Sequence, residues 1–478
     1  MHPMNNSEIK FGEKVGYSLG DVGANLAFQM MMIYQLKFYT DVFGLDGAVA
    51  GLVLLVAPFL TAFIDPLVGI VADRTRTRWG KYRPWLLWTA LPFCLFYILA
   101  FTHPGISNAG AVALYATVSY VLLLSVYSFN NTPYSSLGGV LTADIRERTS
   151  LNTIRFIASS VAQFVVQGLT LPLVSHFGDG NARRGWTLTV CLFALLAVAC
   201  FLIAFGTTRE RIAPPPHQRM SIRRDIRETF TSGAWLSMFF LTLLLFVSLA
   251  VFGAGMNYYF QSYADPHSLA ALLRRLGFHT TEGEAYSTGF SLFNTLNAVV
   301  QLLGVLLLSG RLAARFGKKT TFVACLSLTA LFTALLYLPG VSDVALVYVL
   351  GILKSACYAP TIPLLWAMIA DVADDMEYRN HRRATGFCFS GIVFALKMGL
   401  GLGGALAGVV ISCFGYQSGG VVVQTASAAY GIRLVSSLIP ALLLVVGVVV
   451  LSRYPITKKY NENMQAELAA RRNAARRY

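Results

Sequence analysis

Charge is scarce in this chain. Only 13% of its 478 residues are Asp, Glu, Lys or Arg while 55% are hydrophobic, against roughly a quarter charged in an ordinary soluble domain. A soluble core of this size does not need so much apolar surface. The seven histidines all fall in expected loops or tails or, for His103, at the very end of an expected helix, which speaks against a histidine relay or a metal site within the apolar runs. The seven cysteines, Cys94, Cys191, Cys200, Cys325, Cys357, Cys388 and Cys413, are odd in number, widely spaced and mostly in apolar stretches, so they give neither a disulfide framework nor a zinc spacing. Nothing in the sequence pairs a nucleophile with a base, cradles a phosphate or calls for a cofactor, so an enzyme is not expected. The net charge of +15 would suggest nucleic-acid binding in a soluble protein. The low charge fraction argues against that partner, and the placement of the cations decides what the excess means.

What the chain has in abundance is long apolar runs. About 20 such residues cross a hydrocarbon core of about 30 Å as a helix, and the runs predict helices at 16–39, 46–72, 84–103, 108–137, 151–175, 185–207, 234–262, 285–309, 319–338, 342–370, 384–413 and 429–453. The expected class is therefore all-α integral membrane with twelve transmembrane helices. The first 15 residues are polar with no apolar leader core, so the first span is expected to do the targeting. With both termini placed in the cytoplasm, 29 of the 38 cations fall on inner segments, and the outer loops keep only Arg183, Arg184, Arg274 and Arg275. Gly69 and Arg74 recur as Gly310 and Arg315, an offset of 241 in each case, as a parallel repeat of six helices predicts. The expected division is a six-helix bundle at 1–207, a cytoplasmic linker at 208–233 containing Pro214-Pro215-Pro216, a second bundle at 234–453 and a basic cytoplasmic tail at 454–478.

A charge near the bilayer centre costs about 2.5–3.5 kcal/mol on insertion scales, so each one is a candidate functional residue. Asp21 and Asp65 are the two carboxylates well inside predicted helices, and Arg155, Lys354 and Lys397 are the deep cations. Thr61 lies four residues before Asp65 on the same helical face. Asp65 there either binds a cation or carries a proton, or else pairs structurally with a base such as Lys397. Arg155 begins the fifth helix and Asp371 ends the tenth, so the two either pair as a gate across the halves or serve as interfacial anchors. Asn25, Ser128, Asn130 and Asn131 offer hydrogen bonds to a polyhydroxylated ligand, and Tyr120, Tyr127 and Trp366 offer ring faces to a sugar or pack.

Several long motifs then fall together: Glu13 to Asp21 (EKVGYSLGD), Lys37 to Leu45 (KFYTDVFGL), Asp65 to Trp85 (DPLVGIVADRTRTRWGKYRPW), Asn131 to Thr142 (NTPYSSLGGVLT) and Met368 to Arg379 (MIADVADDMEYR). Together with the Lys397-containing eleventh helix, they resemble the glycoside–pentoside–hexuronide:cation symporters of the major facilitator superfamily along the whole chain. The resemblance implies two bundles with sugar and cation bound between them, a monomer in a bacterial inner membrane, and alternating access. It implies a cation site at Asp65, with Thr61, Ser128 and Lys397, and a sugar site that includes Asp21, Asn25, Asn131, Ser135, Arg155 and Trp366. The sodium-using melibiose carriers have Asp where this chain has Thr61, and losing that carboxylate favours a proton over sodium. Asn25 and Asn131 stand where melibiose carriers have sugar-gripping carboxylates, so the wording of the motifs points instead towards a xyloside or other pentoside. Sodium-coupled sugar symport and lipid or lysolipid movement are the alternatives within transport. Asp375-Met376 and Lys354 depart from the family pattern, and Lys354 either pairs with an acid or favours an anionic substrate.

Overall fold

A computed structural model describes residues 9–62, 64–141, 145–211, 230–380, 385–417 and 424–475. Its described residues form helices and connecting turns, with one isolated bridge between Thr77 and Gly80. The first helices are α1 (Phe11–Lys37), α2 (Gly47–Ala62), α3 (Ile64–Arg74), α4 (Arg83–Ala100), α5 (Ala109–Leu141), α6 (Ile145–Gly178) and α7 (Ala182–Thr207). After residues 212–229, which lie outside the described residues and include most of the expected linker, come α8 (Gly233–Ser262), α9 (Pro266–Arg275), α10 (Glu282–Gly304), α11 (Gly310–Phe316) and α12 (Lys318–Leu335). The chain continues through α13 (Val344–Tyr358), α14 (Thr361–Asn380), α15 (Thr385–Cys413), α16 (Ala426–Arg433), α17 (Ile439–Ser452) and α18 (Lys458–Ala475).

Nine spans among the described residues are long and apolar enough to cross a bilayer. Other expected runs are helical but fall short of that standard for visible reasons. Helix α1 carries Glu13, Lys14, Asp21 and Lys37, α12 opens on Lys318 and Lys319, and the second run is described as α2 and α3 on either side of residue 63. The expected tenth helix is interrupted at Ala359-Pro360 between α13 and α14, because proline cannot donate to the helical ladder. Large side chains such as Leu91, Leu195 and Leu442 point outward, 74%, 63% and 64% exposed, which suits a lipid solvent rather than water.

Helices α1 and α4–α7 pack on one another, as do α8, α12, α15 and α17, and the two groups meet where α2 lies on α15, α6 on α10 and α1 on α8. Small residues permit the tightest of these crossings: a Cβ on Gly51 would sit 2.8 Å from the Ala405 Cα, and one on Gly408 2.1 Å from the Gly47 carbonyl.

Helix α1 runs from a near end, at Phe11, to a far end, at Lys37. At the far end the groups are stitched together. Asn257 donates to the Ile33 carbonyl (3.4 Å), Thr40 bonds Tyr258 (2.9 Å), Gln261 donates to Asp41 (3.1 Å) and Ser412 donates to Asp46 (2.8 Å). Lys37 joins the same cluster through Asp41 (2.9 Å) and Gln261. At the near end the first group fastens its own loops. Arg211 grips Glu13 with two bonds of 2.8 Å, which raises the guanidinium pKa chiefly through that hydrogen bonding. Glu210 accepts from the backbone N–H groups of Lys81, Tyr82 and Arg83 at 2.7–2.9 Å, where α4 begins.

Candidate functional site

Asp65 sits near the start of α3 and Lys397 midway along α15. The Lys397 ammonium contacts the Asp65 carboxylate and donates to the Ser128 hydroxyl of α5 at 3.2 Å, so three helices from both groups share one ion pair. The pair is largely but not wholly buried, with Lys397 19% and Asp65 25% exposed. The second carboxylate oxygen, Oδ1, is buried without a hydrogen-bond partner. Thr61 is buried one turn away, but its hydroxyl is turned onto the Pro58 carbonyl (3.1 Å) within its own helix. A cavity of ≈ 70 Å³ lies against Lys397 and Thr61, walled by Phe28, Leu54 and Tyr127.

Asp21 makes a second pair, entirely within the first group. Arg155 of α6 reaches Asp21 at 3.2 Å, and the Ser159 hydroxyl donates to its other oxygen. The guanidinium also lies over the Tyr134 ring, 5.3 Å from its centroid, and Tyr134 stacks on Tyr17 at 4.7 Å. Gly20 and Gly138 make room for this stack, since a Cβ on either would come within 2.6 Å of a tyrosine side chain. Asp371 is instead held by Lys318, whose ammonium donates to both carboxylate oxygens at 2.7 Å. Arg155 and Asp371 are thus each held by an ion of their own group in this conformation, in which the far end is closed, and the gate reading of the two concerns closure of the near end.

Between the groups lies a cavity of ≈ 430 Å³, within the roughly 300–1,000 Å³ usual for small-molecule sites. Asn25 and Trp366 are on its wall, and Trp366 is 38% exposed. Asp21 and Arg155 stand behind that wall, connected to it through Ser159. Asn131 is turned towards Tyr127 (3.5 Å), and Ser135 is exposed and lines none of the cavities described here. What the sequence reading missed is a set of amides: Gln29, Gln163 and Gln167 from the first group face Asn294, Asn297 and Gln301 from the second. Their spacings, four residues between Gln163 and Gln167 and three, then four, along 294, 297 and 301, are a helical-face signal that was available. The Asn294 Nδ2 is buried without an acceptor, while Asn297 meets Ser355 at 2.9 Å. Lys354 also lines this cavity, with its ammonium 3.6 Å from the centroid of the Phe252 ring. Such a desolvated contact is worth about 2 kcal/mol, against an insertion penalty of about 2.5–3.5 kcal/mol for the charge.

A helical membrane protein with a largely apolar cavity, set with amides, between two helix groups, and an ion pair bridging those groups, has the architecture of a secondary transporter. The chain matches the family described as MFS/sugar transport protein over residues 16–281 and 283–458. It is 33% identical to YagG of Escherichia coli (strain K12) over 468 residues, covering 98% of this chain and 97% of that one. It is 31% identical to the inner membrane symporter YicJ of the same strain (94% and 93% covered), and 30% identical to the isoprimeverose transporter of Lactiplantibacillus pentosus (85% and 81%). Among solved structures, a bacterial homologue of the lysosomal transporter Spinster, inward-facing and unoccupied, superposes with a TM-score of 0.62 at 14% identity, over 93% of this chain and 96% of that one. The chain belongs to the MFS/sugar transport family, in its glycoside–cation symporter branch. It is a multi-pass inner-membrane transporter and not an enzyme.

Proposed function

We propose that this protein imports a pentoside-type glycoside together with a proton by alternating access. The observation that carries the reading is the Lys397–Asp65–Ser128 contact, which ties the two helix groups through a single titratable carboxylate with one free oxygen. Protonation of Asp65 removes the attraction that holds Lys397, so the proton changes the free energy of the interface rather than one side chain alone. A hard metal cation would want several charged oxygen ligands, and one turn from Asp65 the chain offers the neutral hydroxyl of Thr61 rather than a second carboxylate. The isoprimeverose transporter among the relatives supports the pentoside side of the reading. The cationic loops support twelve spans in two bundles with both termini in the cytoplasm. The near end is then cytoplasmic, and the far-end bonds close the outside. A monomer suffices in this reading, because both helix groups that move against each other belong to one chain.

The test is uptake of a labelled glycoside panel into right-side-out vesicles with proton and sodium gradients imposed separately. Uptake should follow ΔpH and be lost in Asp65→Asn. Uptake that follows sodium and ignores ΔpH would defeat the proton assignment.

A further inference from the structure

The large cavity is nearly all neutral. Its polar wall is built from amides and hydroxyls, no Asp or Glu appears among its described lining residues, and its single formal charge is Lys354. Lys354 belongs to neither ion pair of the site. Its near neighbours are rings, Phe252 at 3.6 Å and Tyr358 at 5.8 Å, and among the described residues no carboxylate partners it. The adjacent residue, Ser355, is locked to Asn297, which fixes the face of α13 that Lys354 occupies. The opposite wall, at Asn25, Gln29 and Gln163, presents amides suited to hydroxyl groups.

We propose that Lys354 is the specificity-determining residue for an acidic glycoside, and that it holds one substrate carboxylate against the second helix group while the amides bind the sugar hydroxyls. This rests on the glycoside-transport reading and narrows it to a glycoside that carries a uronic acid, a requirement the pentoside reading meets when the pentose is joined to such a unit. An ammonium at membrane depth has its charge only partly offset by a ring face, so a substrate that brings one negative charge gains a partner already in place. One cation matches one carboxylate. A phosphomonoester, near −2 at neutral pH, would leave a charge unanswered on a wall otherwise made of amides. Because Lys354 and Gln29 lie in different groups, such a substrate also bridges the two halves that must move together.

The experiment measures binding to the purified full-length protein of matched sugars: a glucuronide, a galacturonide and a glucuronosyl-xylose, each beside its carboxyl-reduced twin and its phosphorylated counterpart. At least one acid should bind tighter than its reduced twin by about tenfold or more, the scale of one charge-assisted hydrogen bond. Lys354→Met should bring that ratio to within about twofold, and Lys354→Arg should restore most of it, as expected when the charge matters more than the ammonium geometry. The ratio of two affinities in one preparation does not depend on the folded fraction, so partial misfolding cannot mimic the result. Neutral twins that bind as well as every acid, a ratio unmoved by Lys354→Met, or preference for the phosphates would overturn the role of Lys354 and leave glycoside transport standing. Binding of no sugar of any kind would overturn both.

Discussion

Removing either partner of the Asp65–Lys397 contact leaves the other charge at membrane depth without its counter-ion. A fully buried pair broken this way loses about 3–5 kcal/mol, and this one, still in part reached by solvent, should lose about 2 kcal/mol. Asp65→Asn and Lys397→Gln are therefore each expected to lower the thermal unfolding midpoint, while the double variant recovers most of the loss because no orphan charge remains. All three should lack ΔpH-driven uptake. A double variant no more stable than the worse single would show that the two side chains are not energetically coupled. The sequence made this pair legible because a charge stands out in an apolar run, and the same logic singled out Arg155, Asp371 and Lys354. It did not foresee that Arg155 meets Asp21 and that Asp371 meets Lys318 in this conformation, since those partners become neighbours only through helix packing. It took up Asn25, Asn130 and Asn131 but passed over the six facing amides because it weighed single polar residues rather than their helical spacing, which was there to be read.

Helix ends are held by contacts that no apolar pattern announces. Glu210, three residues beyond α7, answers three backbone N–H groups at the start of α4, and Gly80 approaches it so closely that a Cβ would sit 2.5 Å from the carboxyl carbon. Gly80 also has φ +116°, a conformation that suits glycine. Glu210→Ala strands those donors at a loop that water reaches in part, and the expected loss is about 1–3 kcal/mol, read as a lower unfolding midpoint. Glu210→Gln keeps an acceptor and should lose less. Equal midpoints for Glu210→Ala and the parent protein would mean that water replaces the carboxylate without penalty. Sequence reading found the cationic loop and its repeat but set the linker boundary at 208, so it separated Glu210 and Arg211 from the bundle to which they are bonded. It also ran the tenth helix through Pro360, because hydropathy is indifferent to a missing N–H.

Alternating access requires that the far-end contacts be made in one state and broken in another, which turns the α2–α15 crossing into a test of the whole molecule. There, Gly47 and Gly51 face Gly408 and Ala405 backbone to backbone, with no flexible side chain able to yield. A valine at 408 meets the Gly47 carbonyl only while the far end is shut. In a state where α2 and α15 part at that end, the same methyl groups find space. An overpacking clash of about 1–3 kcal/mol confined to one state shifts the balance of states by about 5- to 150-fold. Gly408→Val should thus favour the conformation whose cavity opens at the far end. With the native cysteines removed and Gln163→Cys placed on the cavity wall, a membrane-impermeant thiol reagent added outside cells should label the Gly408→Val protein faster than its parent. Uptake should fall, because return to the closed far end becomes the slow step. Unchanged labelling together with unchanged uptake would mean that the α2–α15 crossing does not separate during transport, and that the two helix groups move about some other contact.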